Sequence, residues 1–355
     1  MFYCPKCGWK SKAFNYLCPE CEGILLVDYE KKEWNPKGSG AWRYSSMIPV
    51  AKSISLQEGG TPIIRRRDVK EQVYLKVEGD NPTGSFKDRG TTVVVSNAFN
   101  RKYKEVSVAS TGNMGASVAA YAAYANLKAK VFVPAKTPKQ KLAQITAYDA
   151  SIVRVNGSFD DCVKKMLEES EKRHSYIAMT GINPYYVEGE KTIGFEIFEQ
   201  IGVPDKIIVP MGTGGLITAV FKAFKELKQL KVVKKLPEMI GVQAKACAPI
   251  VNAWKQGTYE YSLPKHAKTI ASAIFVKTPF NIVTAIDSIN ESKGEAVTVN
   301  DLEMIRGIKE LGKEGVFAEP ASAATIAALK KIDYSKDEKI VLIITGSGLK
   351  QPVVL

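Results

Sequence analysis

Histidine is almost absent from this sequence, which contains only His174 and His266 among its 355 residues. His174 closes a polar, helix-like stretch and His266 lies among lysines, so we predict that both are surface residues. A hydrolase of the Ser-His-Asp type uses a histidine as its general base. The scarcity of histidine therefore disfavours that class. It also predicts that an enzyme of this composition would leave the difficult chemical step to a cofactor.

Long apolar runs are missing as well. No stretch of about 18 uncharged apolar residues occurs, so we predict no transmembrane helix and no membrane partner. The N-terminal segment MFYCPKCGWK lacks the basic-then-apolar layout of a secretory signal. We therefore predict a cytoplasmic protein.

The basic residues of the chain are spread along the sequence. Lys and Arg number 50 against 37 Asp and Glu, a formal net charge of +13, but the excess is mostly scattered lysine. The tight arginine cluster is confined to residues 65–67. Scattered basic side chains are typical of a solvated surface, so we predict no nucleic-acid partner. The chain is long enough to bury a large core and to form two or more domains.

Four of the six cysteines form two CxxC pairs near the N-terminus, and these are Cys4, Cys7, Cys18 and Cys21. The spacing C-x2-C-x10-C-x2-C is typical of a four-thiolate zinc ribbon. The alternative is two disulfides, which a cytosolic compartment disfavours because it keeps thiols reduced. We predict a zinc ribbon over residues 1–33. Its zinc is structural, because four protein ligands leave no open position for catalysis.

The rest of the chain alternates between short Val/Ile-rich runs and helix-like segments. The predicted strands are 73–78, 105–110, 129–135, 151–157, 206–210, 238–244 and 338–346. The predicted helices are 90–101, 116–126, 138–149, 160–173, 216–230, 300–311 and 322–332. This alternation is typical of βαβ units and a parallel sheet. We predict an α/β fold with two parallel-sheet lobes behind the zinc-ribbon module.

Three glycine-rich loops follow predicted strands: STGNMG, GTGG and TGSG. Ligands of open α/β sheets bind beyond the carboxyl ends of the strands, and a glycine loop before a helix suits a phosphate. None of these loops reads G-x-G-x-x-G and no Walker lysine follows, which disfavours a nicotinamide cofactor or a nucleoside triphosphate. Upstream, NPTGSFKDRG places Lys87 in a loop of small residues. A buried lysine together with a phosphate loop points to pyridoxal phosphate.

These motifs carry a family resemblance. NPTGSFKDRG resembles the cofactor-lysine motif of fold type II pyridoxal-phosphate enzymes, and most closely that of threonine synthases. The zinc ribbon, EGGTP, ASTGNMGAS, NPYYVEGEKT, PMGTGGL, EPASAA and TGSGLK agree in order over nearly the whole chain. The resemblance implies a large cofactor-binding lobe (34–90 and 187–355), a small mobile lobe (91–186) and a homodimer.

The resemblance implies a role for each matching cofactor residue. Lys87 would bind the cofactor covalently and, once released, move protons on the substrate. Phe86 would flank the pyridine ring, Asn113 would hydrogen-bond its 3′-oxygen, and Thr345 would offer a hydroxyl to its nitrogen. The cofactor phosphate would be bound by the backbone of Gly212, Thr213, Gly214, Gly215 and Leu216.

The resemblance also implies where an amino-acid substrate binds. Ser110 and Thr111 match the residues at which the family binds the substrate carboxylate. Asn183 matches one residue of the loop N-S-x-N-P-x-R, which in threonine synthases binds the substrate phosphate. The other ligands of that phosphate are replaced here, by Thr180, Gly181, Tyr186 and Met114. Either Lys191 or Lys277 would then supply the positive charge for the phosphate, or the substrate is not O-phosphohomoserine.

Three functions follow from these observations. The first is a threonine synthase, which converts O-phosphohomoserine and water to L-threonine and phosphate. The second uses the same fold and cofactor on serine, threonine or phosphoserine, as an ammonia-lyase or a β-replacement enzyme. The third is a nucleic-acid binder that has lost its chemistry, which the retention of Lys87, Asn113, the glycine loop and Thr345 disfavours.

Overall fold

The computed structural model describes residues 1–30, 32–67, 71–262 and 267–353, so His266 lies outside the described residues. The chain forms two compact units. Unit 1 comprises Met1–Gly59 and Asn81–Glu190, and unit 2 comprises Gly60–Asp80 and Lys191–Leu355. Among the described residues, no helix has both the length and the apolar character needed to span a bilayer.

Strands and helices alternate along most of the chain. The strands are β1 (Phe2–Tyr3), β2 (Lys10–Ser11), β3 (Leu26–Val27), β4 (Ile63–Arg65), β5 (Gln72–Val77), β6 (Glu105–Ala109), β7 (Lys128–Pro134), β8 (Ser151–Val155), β9 (Tyr176–Ile177), β10 (Lys206–Pro210), β11 (Glu238–Ala244), β12 (Glu295–Val299) and β13 (Lys339–Ile344). The helices are α1 (Lys87–Asn100), α2 (Asn113–Tyr124), α3 (Lys139–Ala147), α4 (Phe159–Arg173), α5 (Tyr185–Glu190), α6 (Thr192–Ile201), α7 (Gly215–Gln229), α8 (Pro249–Lys255), α9 (Ile282–Glu291), α10 (Asp301–Lys313) and α11 (Pro320–Leu329).

Unit 1 contains a four-stranded sheet with the order β8-β7-β6-β9, in which every pairing is parallel. The central strand β7 carries Val131, Phe132 and Val133 in succession, and all three are buried. Continuous apolar runs of this kind are expected where helices cover both faces of a parallel sheet. The capping box of α4, formed by Ser158 and Asp161, explains why that helix begins one residue after Ser158.

Unit 2 contains a six-stranded sheet with the order β12-β11-β10-β13-β5-β4. Its pairings are parallel except that β4 runs antiparallel to β5 at the edge. The alanine-rich helix α11 is buried along its whole length within the core cluster of this unit. Small side chains allow such a helix to lie close to the sheet. The predicted strands 206–210 and 238–244 coincide with β10 and β11.

The N-terminal segment of unit 1 forms a small antiparallel sheet with the order β2-β1-β3. Aromatic side chains join it to the rest of the unit. Phe14 stacks on Tyr176 and Tyr185 with ring centroids 6.1 and 5.9 Å apart. The Tyr16 hydroxyl accepts a hydrogen bond from the Ile177 backbone N–H at 3.0 Å. The segment therefore packs beside β9 and the start of α5.

The prediction of an α/β fold with parallel sheets is confirmed, because both large sheets consist mainly of parallel strands joined through helices. The division into a large lobe and a small mobile lobe stays a prediction. Residues 34–59 and 81–90 belong to unit 1, together with the four-stranded sheet. The prediction assigned the same residues to the large cofactor-binding lobe.

Candidate active site

Helix α1 begins at Lys87, three residues before the start predicted from the sequence. The preceding loop turns at Gly84, whose φ is +86° and whose N–H donates to the Asn81 carbonyl at 2.8 Å. Only glycine adopts such a φ at little cost. Asp88 in the first turn favours the earlier start, because a negative charge stabilises a helix N-terminus. The small residues of NPTGSFKDRG thus bring the chain sharply into the helix that carries the lysine.

The Lys87 amine lies among three side chains of unit 1. Its Nζ donates to Oε1 of Glu190 at 2.8 Å. The same nitrogen lies 4.1 Å from the ring centroid of Phe86 and 5.6 Å from that of Tyr186. The Lys87 side chain is 14% exposed and that of Glu190 is fully buried. Lys87 is therefore not an ordinary surface lysine.

Two glycines allow α1 and α5 to approach each other closely. A Cβ on Gly90 would lie 2.2 Å from Cδ1 of Tyr186, and one on Gly189 would lie 2.0 Å from the Arg89 carbonyl oxygen. The Tyr186 side chain is fully buried against Gly90, and its hydroxyl is 2.6 Å from Oγ1 of Thr91. Burial raises the pKa of Tyr186 well above its ordinary value, so the phenol stays neutral at physiological pH.

Asp88 anchors a chain of buried hydroxyls that ends at Tyr186. Its carboxylate accepts hydrogen bonds from the N–H and the hydroxyl of Thr83, both at 2.7 Å, and from the Ser117 hydroxyl at 2.6 Å. Ser117 is in turn 2.8 Å from Thr91, which contacts Tyr186. Burial raises the pKa of Asp88 to about 6, although its hydrogen bonds to Ser117 and Thr83 oppose that shift. The network fixes α1 against α2.

The predicted substrate residues Ser110 and Thr111 lie at the carboxyl end of β6, and Asn113 is the first residue of α2. Ser110 is buried, and its hydroxyl accepts from the Gly112 N–H at 3.2 Å. A loop between the carboxyl end of a parallel strand and a helix is where ligands of α/β sheets bind. The structure thus places these three residues together on one loop of unit 1, while their roles stay predictions.

The replaced phosphate ligands lie on a buried segment of unit 1. The Thr180 N–H donates to Sδ of Met114 at 3.3 Å, and Oγ1 of Thr180 is buried with no hydrogen-bond partner in the described part of the chain. Gly181 has a φ of +79°. The Asn183 side chain donates to the Ile177 carbonyl at 2.8 Å and accepts from the Tyr185 N–H at 3.1 Å. Asn183 therefore fastens the turn between β9 and α5, and its substrate role stays a prediction.

In unit 2, the predicted phosphate loop connects β10 to α7. Gly214 has a φ of +90°, and a Cβ there would lie 2.8 Å from Cβ of Ala285. The Thr213 carbonyl accepts from the Asn281 N–H at 2.9 Å, and α7 begins at Gly215. The first turn of a helix has N–H groups with no intrahelical acceptor, and these suit a phosphate. Gly212, Thr213, Gly214, Gly215 and Leu216 are thus continuous with a 15-residue helix.

Thr345 follows β13 in unit 2 and is held by the start of α11. Its Oγ1 is 2.9 Å from the Ser322 hydroxyl and donates to Oε1 of Glu319 at 3.3 Å. A Cβ on Gly346 would lie 2.7 Å from the same Glu319 oxygen, so glycine is needed beside it. Sequence reasoning assigned Thr345 but gave no role to Ser322 or Glu319. Both residues lie in the motif EPASAA, which could have indicated their place in the candidate site.

The two candidate cations for a substrate phosphate have different environments in unit 2. Lys191 is fully buried, and its Nζ lies 2.9 Å from Oε2 of Glu226. Lys277 is exposed. Burial raises the pKa of the Cys247 thiol, and the positive charge of Lys277 opposes that shift. The Gly212 position also faces residues 273–276, because a Cβ there would lie 3.1 Å from the Ala273 carbonyl oxygen. Lys277 follows that segment directly, and its role as the cation stays a prediction.

Glu190 is a further residue of the candidate site to which the sequence gave no role. Its motif NPYYVEGEKT was recognised, but no role was given to this carboxylate. Glu190 and Tyr186 share a face of α5, but the sequence did not predict that helix, so no local signal pointed to Glu190. The contact with Lys87 spans 103 residues of sequence. It depends on the packing of α1 against α5, which local patterns do not show.

The four N-terminal cysteines form one cluster that could hold a metal ion. Their sulfur atoms all lie within 4.8 Å of one another, and none of the four is disulfide-bonded. The distances Cys4–Cys21 and Cys7–Cys18 are both 3.5 Å. A tetrahedral site with metal–sulfur bonds of about 2.3 Å needs sulfurs about 3.8 Å apart. The donor set therefore fits a tetrahedral thiolate site better than two disulfides, whose sulfurs lie about 2.05 Å apart.

Comparisons with known proteins agree with this arrangement. A family model described as pyridoxal-phosphate dependent enzyme matches residues 54–346. The threonine synthase of Methanocaldococcus jannaschii is 41% identical and that of Methanosarcina acetivorans 38% identical, each over 98% of this chain and 92% of the relative.

Solved structures show the same fold. The processed form of threonine deaminase isoform 2 from Solanum lycopersicum is 25% identical, with a TM-score of 0.71 over 91% of this chain and 90% of that one. Maize serine racemase is 22% identical, with a TM-score of 0.71 over 83% of this chain and 89% of that one, and shows the fold alone. With a mostly buried lysine at the start of α1 and a glycine loop before α7, the chain belongs to the threonine synthase family of pyridoxal-phosphate dependent enzymes.

Proposed function

We propose that this protein is a threonine synthase that converts O-phosphohomoserine and water to L-threonine and phosphate. The observation that carries the proposal is its identity of 38–41% to threonine synthases over 98% of the chain. The environment of Lys87 supports it. A lysine that is mostly buried and paired with a buried carboxylate is typical of a functional amine.

The residues described above fit pyridoxal phosphate. Lys87 would bind its aldehyde carbon, Phe86 would flank its ring, Asn113 would hydrogen-bond its 3′-oxygen and the α7 loop would bind its phosphate. When bound, this group withdraws electrons from the substrate and so makes protons at Cα and Cβ acidic and the γ-phosphate able to leave. The released amine of Lys87 would give and take these protons.

The Thr345 hydroxyl would face the ring nitrogen of the cofactor. Ser322 and Glu319 support its position, because both contact its Oγ1. A hydroxyl stabilises a protonated ring nitrogen less than a carboxylate does, because it carries no negative charge. This choice suits elimination and replacement better than transamination. Glu319 would act by orienting the hydroxyl rather than by contacting the ring.

Lys277 would supply the positive charge for the substrate phosphate. Tyr186 cannot replace an arginine in that task, since its hydroxyl is neutral, buried and engaged by Thr91. This is also the observation that favours a second candidate function. An ammonia-lyase or β-replacement enzyme acting on serine, threonine or phosphoserine would need fewer phosphate ligands, and threonine deaminase is among the similar structures.

The cysteine cluster would hold one structural zinc ion. Thiolates favour zinc among the common metals, and their tetrahedral arrangement leaves no open position. Phe14 and Tyr16 lie between the two CxxC pairs, so the ion would stabilise the loop that packs beside β9. We further propose a cytoplasmic protein and, as the family resemblance implies, a homodimer with a small amino-acid substrate.

The substrate is tested by incubating the purified holoenzyme separately with O-phosphohomoserine, phosphoserine, serine and threonine. Released phosphate together with threonine supports the leading function, whereas ammonia and a 2-oxo acid from serine or threonine support the second. Borohydride reduction followed by peptide mapping should place the cofactor on Lys87. A label on another peptide would refute the assignment of the lysine.

The phosphate contact is tested by Lys277→Ala, with Lys309→Ala on the exposed face of α10 as the matched control. Loss of a charge-assisted contact costs roughly 2–4 kcal/mol, so kcat/KM for O-phosphohomoserine should fall by about 10²-fold. Cofactor reduction by borohydride should be unchanged. If both variants retain wild-type kcat/KM, Lys277 does not contact the phosphate.

A further inference from the structure

Glu190 is a buried carboxylate in direct contact with the reactive amine. It is the last residue of α5, it is fully buried, and its Oε1 accepts from Nζ of Lys87 at 2.8 Å. We propose that Glu190 is the charge partner that holds a proton on the Lys87 nitrogen, and that it thereby sets the pH range in which this nitrogen reacts. The inference rests on the proposed function, in which Lys87 binds the cofactor.

The two carboxylate oxygens of Glu190 differ in their contacts, and Oε1 binds Lys87. Oε2 of Glu190 is buried and has no hydrogen-bond partner among the residues that the structure describes. Asp88, one residue from Lys87, accepts three hydrogen bonds from Thr83 and Ser117. Buried carboxylates that only stabilise a fold are normally satisfied, as Asp88 is. A carboxylate buried directly against a reactive amine, as Glu190 is, is typical of a functional site.

Among the groups around the Lys87–Glu190 pair, Lys87 is the positive charge that lowers the pKa of Glu190. Burial raises the pKa of Glu190, while the charge of Lys87 and its hydrogen bond oppose that shift. From its own helix, Glu190 is near Tyr186, which is neutral, and follows Glu188, which is buried. From α1, the Asp88 carboxylate is directed to Thr83 and Ser117. Arg89 is also buried on α1.

The chemistry is a proton transfer within the pair. One N–H bond of Lys87 breaks and one O–H bond forms on Glu190, and both charges disappear together. No other reactant is needed. A charged carboxylate favours the protonated form of an amine within hydrogen-bond distance, so removing the charge of Glu190 tests whether it controls when Lys87 reacts. When the nitrogen gives up its proton, Glu190 is the acceptor within hydrogen-bond distance.

The decisive variant is Glu190→Gln, which keeps the shape of the side chain and removes its charge. The first measurement uses cofactor-free protein and needs no turnover. Lys87 is labelled by reductive methylation with formaldehyde and cyanoborohydride, and its peptide is quantified by mass spectrometry. We expect the labelling midpoint to fall by about one to three pH units, so that Lys87 in the variant labels at least about tenfold faster at pH 8.

A second measurement follows the visible absorbance of the holoenzyme against pH, without substrate. Its midpoint should fall in the same direction in Glu190→Gln. Glu190→Asp keeps the charge but shortens the reach, so its shifts should lie between those of the wild type and Glu190→Gln. The matched control is Glu226→Gln, which breaks another buried lysine–glutamate pair at Lys191. It should leave both Lys87 midpoints unchanged even if it lowers stability.

A purely structural role predicts a different pattern. Glu190→Gln would then melt at a lower temperature, yet label Lys87 within twofold of the wild-type rate and keep the absorbance midpoint, and that pattern refutes the proposal. If Glu190→Gln does not fold, Glu190→Asp decides, because an unchanged labelling rate in that variant also refutes it. A failure of the proposed function would look different. Borohydride reduction would then attach the cofactor to a residue other than Lys87, and this result does not depend on the labelling midpoints.

Discussion

Gly90→Ala is the substitution whose effect can be worked most directly from the structure. The added methyl carbon would lie 2.2 Å from Cδ1 and 2.4 Å from Cε1 of Tyr186, whereas ordinary contacts begin near 3.4 Å. The Tyr186 ring would therefore have to retreat by more than an ångström. It is fully buried, so it cannot move without displacing its neighbours or losing its hydrogen bond to Thr91.

The magnitude follows from three contributions. Overpacking a buried site costs about 2 kcal/mol, and a broken buried hydrogen bond costs roughly as much. Replacing glycine by alanine within a helix gains about 1 kcal/mol, which offsets part of the loss. We therefore expect Gly90→Ala to reduce the free energy of unfolding by about 3 kcal/mol. Because the ring lies 5.6 Å from Nζ of Lys87, kcat/KM should also fall, by about 10²-fold.

Two control variants separate the causes in denaturant unfolding and steady-state assays. Tyr186→Phe removes the hydroxyl but keeps the ring, so it should cost about 1–2 kcal/mol and reduce kcat/KM by less than tenfold. Gly312→Ala adds the same methyl group in α10, where nothing lies within 4 Å of it, and should stabilise by up to about 1 kcal/mol. If Gly90→Ala behaves like Gly312→Ala, the packing of α1 against Tyr186 is not what the structure indicates.

Two further predictions concern pH and metal. The pKa of Asp88 is about 6 in the fold against 3.8 ordinarily, so its contribution to stability is present below pH 3.8 and is lost as the pH rises to 6. The unfolding free energy of the wild type minus that of Asp88→Asn should fall by about 3 kcal/mol across this window, and a flat difference would contradict the burial of an ionisable Asp88. Metal analysis should find about one zinc per chain. Cys18→Ser should lower both the zinc content and the melting temperature, while the control Cys162→Ser keeps the metal, and a stable Cys18→Ser protein with full zinc would refute the site.

Much of the fold was predictable because its signals are local. The short apolar runs KIIVP and EMIGVQA are typical of buried strands, and they coincide with β10 and β11. The cysteine cluster was predictable for the same reason, since the CxxC spacing sets the separation of neighbouring sulfurs. The small residues before Lys87 indicated its enclosed setting, whereas its role as the cofactor lysine stays a prediction. In each case, the residues that decide the outcome are close together in sequence.

The helix α5 could not be predicted in this way. Tyr185–Glu190 is only six residues long, and its NPYY start is typical of a loop. It is helical because α1 packs against it through Gly90 and Gly189, and these glycines act between segments about 100 residues apart. The start of α1 was placed three residues late for a related reason. Asp88 was counted with the loop, whereas its contacts with Thr83 and Ser117 hold it in the first helical turn.

The sequence EGEKT shows most clearly what local patterns leave out. Glu190 and Lys191 are neighbours with opposite charges. From the sequence alone, one would expect them to form an ion pair with each other or to contact the same ligand. In the structure, Glu190 binds Lys87 within unit 1, while Lys191 binds Glu226 within unit 2. Each buried charge is thus neutralised by its own distant partner. Since Lys191 is paired with Glu226, our proposal assigns the charge for a substrate phosphate to Lys277, and the motif joins two residues with separate partners.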